Sequence, residues 1–253
     1  DRAATLAHRQ DAFVGHGRHR ASLADATELL PAVSRERRTA AARASLARFE
    51  EAGPLCDSRP MPDTDHRYDR IGGTYSSTRV EDPRIAAQIG EALGEGPILN
   101  IGAGSGNYEP ANRQVVGLEP STEMIRQRSA GCAPVARGLA EALPFDDHSF
   151  GTAMAILTIH HWTDPAAGLT EMARVADRQV VFFFEQDRIH GFWAIDYFPD
   201  ALSLPTEQHP PGERLLRQHL EVEAVRPVMI PRDCIDGFGT AFWARPEEYL
   251  RPE

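Results

Sequence analysis

The sequence predicts an α/β fold: a mostly parallel sheet flanked by helices, with a helical N-terminal extension and a late helical, aromatic-rich insert. Three observations predict it. After Met61, short apolar runs alternate with segments of helical periodicity. The first of these runs leads into a loop of alternate glycines, Gly102, Gly104 and Gly106. The 253 residues have an ordinary composition, 42% apolar and 25% charged, and suffice for one large domain or two small ones.

The elements follow in order. One helix is readable in the extension, from Ser34 as N-cap to a stop at Gly53-Pro54, with a thin apolar face of Ala40, Ala44, Ala47, Leu46 and Phe49. The next apolar repeat, 85–93, has helical spacing and stops at Gly94. A first buried strand is expected at 97–101 and a second at 115–118, followed by a helix over 121–128. A weak third strand falls at 133–136 and a fourth at 153–158, with a helix over 165–175 behind it. The fifth and clearest strand covers 179–184. Short strands alternating with helices require crossovers of one hand, hence parallel pairing. A late strand is expected at 222–230, and 239–244 is the candidate for a final antiparallel strand, the alternative being a chain that stops short.

Charge and composition exclude several chemistries. All 27 basic residues are arginine, so Schiff-base chemistry and a P-loop lysine are excluded. The net charge of −10 disfavours a nucleic-acid partner. It is unevenly spread: residues 1–60 hold ten arginines against eight acids, and 61–253 hold seventeen against twenty-nine. The three cysteines, Cys56, Cys132 and Cys234, lack paired spacing, which fits a reducing cytoplasm and gives no metal site. No run approaches the roughly 18 apolar residues of a membrane span, and no leader is readable from Asp1. Residues 1–60 therefore read as an extension and 61–253 as the functional unit.

Four motifs carry chemistry. The first is Ile98-Leu99-Asn100-Ile101-Gly102-Ala103-Gly104-Ser105-Gly106, a buried strand running into glycines where a backbone approaches a ligand. A dinucleotide fingerprint wants G-x-G-x-x-G, and here the last glycine comes one residue early. The second is Glu119, at the end of Val115-Val116-Gly117-Leu118. Its carboxylate is placed to accept hydrogen bonds from a ribose diol, or else it is an acid favoured at a helix N-terminus. The third is the stretch from Arg137 to Phe150 and the fourth is Leu157-Thr158-Ile159-His160-His161-Trp162.

In order and spacing these motifs resemble the class I S-adenosylmethionine-dependent methyltransferases. The similarity is to the small-molecule branch that includes the ubiquinone/menaquinone-biosynthesis enzymes, the methyltransferase type 11 group, and it covers residues 66–184. It implies a Rossmann-like sheet, S-adenosylmethionine as cofactor, a small-molecule acceptor, and an acceptor or lid region at 185–253. Gly102, Ala103, Gly104 and Gly106 would pack against the methionyl part. Asn100 stands where an acid usually orients the loop. Glu119 would hold the ribose hydroxyls, with Pro120 and Ser121 shaping the turn and Met124 near the adenine. Leu139, Ala140 and Glu141 would border the adenine ring, and Ile156 and Leu157 would lie under the reacting methyl. Tyr68, Tyr75 and Arg79 match a pattern upstream of the loop that covers the cofactor, with Arg79 meeting its carboxylate. The sequence departs from the family at Asn100, at Leu139 (often Asp), at Gly151 (usually Asp), and at Ala176-Asp177-Arg178, in place of Pro-Gly-Gly.

Methyl transfer from a sulfonium is a direct displacement that needs alignment and dryness, with a general base depending on the acceptor. His160 and His161 are the candidate bases; otherwise they cap and pack the turn beside Trp162. Trp193, Tyr197 and Phe198 either form a lid over a small, fairly apolar acceptor or belong to a helix packed on the sheet. Two alternatives stand beside the methyltransferase. One is an NAD(P)-dependent oxidoreductase, which the glycine spacing and absent lysine disfavour. The other is a non-catalytic relative that binds the cofactor.

Overall fold

The computed structural model describes residues 78–185, 191–203 and 211–250. The helix expected at 34–53, the extension, Tyr68, Tyr75 and His190 lie outside the described residues.

Five short parallel strands form one sheet. They are β1 (Ile98–Ile101), β2 (Val115–Glu119), β3 (Val135–Arg137), β4 (Phe150–Ile156) and β5 (Ala176–Phe182), in the order β3-β2-β1-β4-β5. The register pairs Leu99 with Val116 on one side and with Ala153 on the other. Every residue of β1 and β2 is buried, as expected of strands covered on both faces. The order reverses at β1, so the crevice beyond the carboxyl ends of β1 and β4 is the topological switch point.

The helices are α1 (Pro83–Ala92), α2 (Thr122–Arg126), α3 (Pro165–Val175) and α4 (Glu213–His219). Local chemistry sets their starts. Asp82 caps α1, Ser121 caps α2 and Asp164 caps α3, each accepting a hydrogen bond from a backbone N–H of the first turn. Leu169, Met172 and Val175 of α3 and Leu216 of α4 pack with Leu99, Ile101, Val116 and Leu118 of the sheet. Ile85 and Ile89 of α1 join a second cluster with Leu157, Tyr108, Cys234, Phe238 and Ala241.

Two departures from the family pattern have a packing reason. A Cβ at Gly151 would run into the carbonyl oxygen of Glu95, so an aspartate cannot stand there. Helix α3 passes directly into β5, Ala176 being both the helix C-cap and the first strand residue, so no Pro-Gly-Gly turn is required.

The late strands are corrected. Residues 222–230 join no ladder, although Val228 and Ile230 still pack on the second cluster. Pro227 has no N–H to donate, which leaves a gap in any ladder the segment could form. Residues 239–244 form turns, and the described residues contain no antiparallel strand. The insert also differs from expectation, with 3₁₀ turns at Trp193–Asp196 and Pro199–Ser203 where a helix was expected. Trp193 donates to the carbonyl of Trp243 at 2.8 Å and packs on Tyr249, so its ring meets the C-terminal segment and not the sheet. Tyr197 and Phe198 are exposed.

The C-terminal segment is tied to the start of α1 by charge. Fully buried Asp82 receives Arg84 at 2.7 Å and the N–H of Ile235 at 3.2 Å, while Arg84 also reaches Asp233. The Arg84 side-chain hydrogen bonds hold the Asp82 carboxyl far below the usual carboxylate range, against the opposing effect of burial. The folded state therefore binds this proton less readily than the unfolded chain. Its stabilisation is complete above the ordinary carboxylate range and is lost as pH falls below about 5. Asp82→Asn is expected to flatten the fall of melting temperature between about pH 5 and pH 2.5. Parallel wild-type and variant curves would contradict this.

Candidate functional site

Two adjoining cavities open at the switch point. The larger, about 680 Å³, is lined by Gly102, Gly104, Leu118, Glu119, Pro120, Met124, by 138–141 after β3, and by 156–158 and 161–163 after β4. The smaller, about 300 Å³, is lined by Arg79, Asn100, Gly102, Ala103, Gly104, Ser105, Asn107, Tyr108 and Ile156. Gly102, Gly104 and Ile156 border both, so the glycine loop is the ridge on which they meet.

At two of its glycines the loop has no room for a side chain. Gly102 has φ +68°, and a Cβ there would run into the Oγ1 of Thr158, which follows β4. Gly106 has φ +98°, and a Cβ would lie 2.6 Å from the Cys132 sulfur. The backbone must therefore pass close to both neighbours, which only glycine permits at positive φ.

Glu119, buried at the end of β2, anchors this loop. One carboxylate oxygen accepts the Gly104 N–H at 2.8 Å and the other accepts the Ser121 N–H at 3.0 Å. The same side chain lines the larger cavity.

At the opposite end, Arg79 lines the smaller cavity and grips fully buried Asp236 with two hydrogen bonds, at 2.6 and 3.2 Å. Tyr108 donates to the same carboxylate at 2.7 Å. Burial, and then the hydrogen bond to Asp236, push the Tyr108 hydroxyl far above its ordinary value, so it stays protonated and donates. Phe238 lies 6.0 Å from the Arg79 guanidinium, and Phe184 and Phe182 adjoin Phe238.

The residues expected from the sequence are largely brought together. Asn100, Gly102, Ala103, Gly104, Glu119, Pro120, Met124, Leu139, Ala140, Glu141, Ile156, Leu157, Arg79 and His161 line one cavity or both. Ser121 and Gly106 line neither: Ser121 is a fully buried helix cap, and Gly106 faces Cys132. His160 also lies off both cavities, its ring 3.8 Å from that of His161 and 5.7 Å from that of Phe184. Trp193, Tyr197 and Phe198 border neither cavity. Gly138 and Asn107 adjoin the expected site residues but had been given no role, and Asp236 was missed because it meets Arg79 across 157 positions.

The fold and site define a class of protein: a Rossmann-like domain with a cleft on its glycine loop at the sheet's switch point. Comparison makes the class specific. A family model described as a methyltransferase domain matches residues 99–184. A solved structure of a candidate methyltransferase from an antibiotic biosynthesis pathway of Anabaena variabilis is 31% identical. It covers 69% of this chain and 76% of its own, with a TM-score of 0.62. The chain belongs to the class I S-adenosylmethionine-dependent methyltransferase family.

Among curated relatives, the ubiquinone/menaquinone biosynthesis C-methyltransferase UbiE of Geotalea uraniireducens is 32% identical over 128 residues, 44% of this chain and 54% of that one. The uncharacterized methyltransferase YcgJ of Bacillus subtilis is 31% identical over 106 residues, 38% of this chain and 42% of that one. The match thus spans about half the length of these relatives. Among the described residues, no helix is long and apolar enough to cross a membrane and no cluster could hold a metal ion.

Proposed function

We propose that this protein transfers a methyl group from S-adenosylmethionine to a small, fairly apolar metabolite. The observation that carries the reading is the Glu119 carboxylate, held at the rim of the larger cavity beside the glycine loop.

The residues present fit the cofactor. The Ser105 hydroxyl is buried without a hydrogen-bond partner among the described residues, in a loop bordering the smaller cavity. It supplies a polar group awaiting a ligand. Glu119 would take the ribose hydroxyls, and Met124, Leu139, Ala140 and Glu141 would bracket the adenine. Arg79, oriented by Asp236, would meet the carboxylate of the methionyl end. The bound cofactor supplies a methyl group activated by a sulfonium.

The chain's own part is alignment and exclusion of water. Ile156 and Leu157 give the larger cavity an apolar floor suited to an apolar acceptor. His161 lines the larger cavity and is the candidate base where the acceptor holds a proton, whereas His160 stacks behind it, off both cavities. The names of the Anabaena and Geotalea relatives, which place methylation in small-molecule biosynthesis, support this acceptor class.

Calorimetry of the full chain with S-adenosylhomocysteine is expected to show one site. Incubation with S-adenosylmethionine and a panel of small aromatic acceptors is expected to yield methylated product. A folded sample that binds neither cofactor form would overturn the reading.

A further inference from the structure

The glycine loop is held from its far side by a buried ion pair that lines neither cavity. Arg128 and Glu109 pair at 2.8 Å, each side chain only 5% exposed. Glu109 receives the same Arg128 nitrogen on both carboxylate oxygens, at 2.9 and 2.8 Å. It also accepts from the Asn100 side-chain amide at 3.0 Å and from the Ala133 N–H at 3.1 Å. Arg128 donates onward to the carbonyls of Ala133 at 2.8 Å, Gly104 at 3.1 Å and Ala103 at 3.4 Å. Gly104 is thereby fixed at both polar groups: its carbonyl by Arg128 and its N–H by Glu119.

We propose that Asn100, Glu109 and Arg128 are positioning residues that set Gly104, and through its N–H the Glu119 carboxylate, in the orientation that receives the cofactor. The inference rests on the reading of Glu119 as the cofactor's ribose acceptor. A buried ion pair is weak support for stability, because well-packed apolar residues often replace one at no cost, so geometry is its stronger rationale here. The planar fork of a guanidinium suits acceptors on three separate segments, which the compact ammonium of lysine does not span. Asn100 is the matching piece: its amide presents a donor to Glu109, whereas a carboxylate there would set a second negative charge at about the same 3.0 Å.

The test uses the full chain with Arg128→Lys, Asn100→Asp and the double variant Asn100→Asp/Glu109→Gln, which restores the charge. Two quantities are read: the S-adenosylhomocysteine dissociation constant by calorimetry, and amide hydrogen exchange by NMR. Both single variants are expected to weaken binding by about tenfold or more. They should speed exchange at Gly104 relative to β4, and the double variant should recover both. Wild-type binding and Gly104 exchange in the single variants would overturn the proposal. So would a double variant as weak as Asn100→Asp, or exchange rising uniformly through β4 and α3, which marks a role in global stability alone. Should Arg128→Lys fail to fold, the Asn100→Asp pair decides. Should the wild type bind no S-adenosylhomocysteine, the reading of Glu119 fails, and Gly104 exchange still decides whether the network sets the loop.

Discussion

Gly102→Ala is expected to lower stability by about 3 kcal/mol, as overpacking and a positive φ on a residue with a Cβ act together. For a domain of this size, that is a fall of about 6–12 °C in melting temperature. The new methyl would meet the Oγ1 of Thr158, with the Thr158 Cβ 2.8 Å away, so no rotation of the threonine clears the overlap. The loop must move instead, and Gly102 borders both cavities. Cofactor affinity is therefore expected to fall by about a hundredfold, more than stability alone dictates. Adding Thr158→Ala removes Oγ1 and Cγ2 but not Cβ, and should recover part of the melting temperature and little of the affinity. Differential scanning calorimetry and titration with S-adenosylhomocysteine check both. A variant with wild-type melting and binding would show that the loop yields freely.

Glu119→Ala is expected to act on both quantities in a different proportion. Removing the carboxylate leaves the Gly104 and Ser121 N–H groups without their acceptors, at a cost of about 1–3 kcal/mol each. Loss of charge-assisted bonds to the ribose should raise the dissociation constant of S-adenosylmethionine by about tenfold or more. Glu119→Gln separates the two effects. It keeps one acceptor oxygen and places an amide donor against the other N–H, so part of the stability returns while the charge does not. An unchanged dissociation constant in either variant, with the fold intact, would remove Glu119 from the site.

How far the sequence reached can be judged residue by residue. Strands β1 and β2 were legible because fully buried parallel strands are written as continuous apolar runs, and α1 because apolar residues recur at helical spacing over 85–93, although its start at Asp82-Pro83 was not. The family resemblance placed Glu119, Met124, Leu139, Ala140 and Ile156 at the cleft they line. The pairing of Arg79 with Asp236 was not legible, since the partners stand 157 positions apart and no periodicity connects them. Arg128 and Glu109, 19 positions apart, belong to no motif, and only their burial against the loop gives them a place. The strand expected at 222–230 rests on apolar content alone, and those residues pack on the second cluster through Val228 and Ile230 without joining a ladder.

By itself, then, the sequence determined the α/β class and the glycine loop after β1, and its resemblance to a known family implied S-adenosylmethionine as the cofactor. Those features are local: periodicity, caps, and glycines where a Cβ cannot fit. The tertiary structure decided which charges are buried, that Glu119 is an anchor of the glycine loop, and that Gly151 cannot be an aspartate. It also decided that the aromatic insert turns toward Trp243 and Tyr249. These depend on which distant segments meet, and burial alone converts a charge or an aromatic ring from solvated surface into a fixed part of a site.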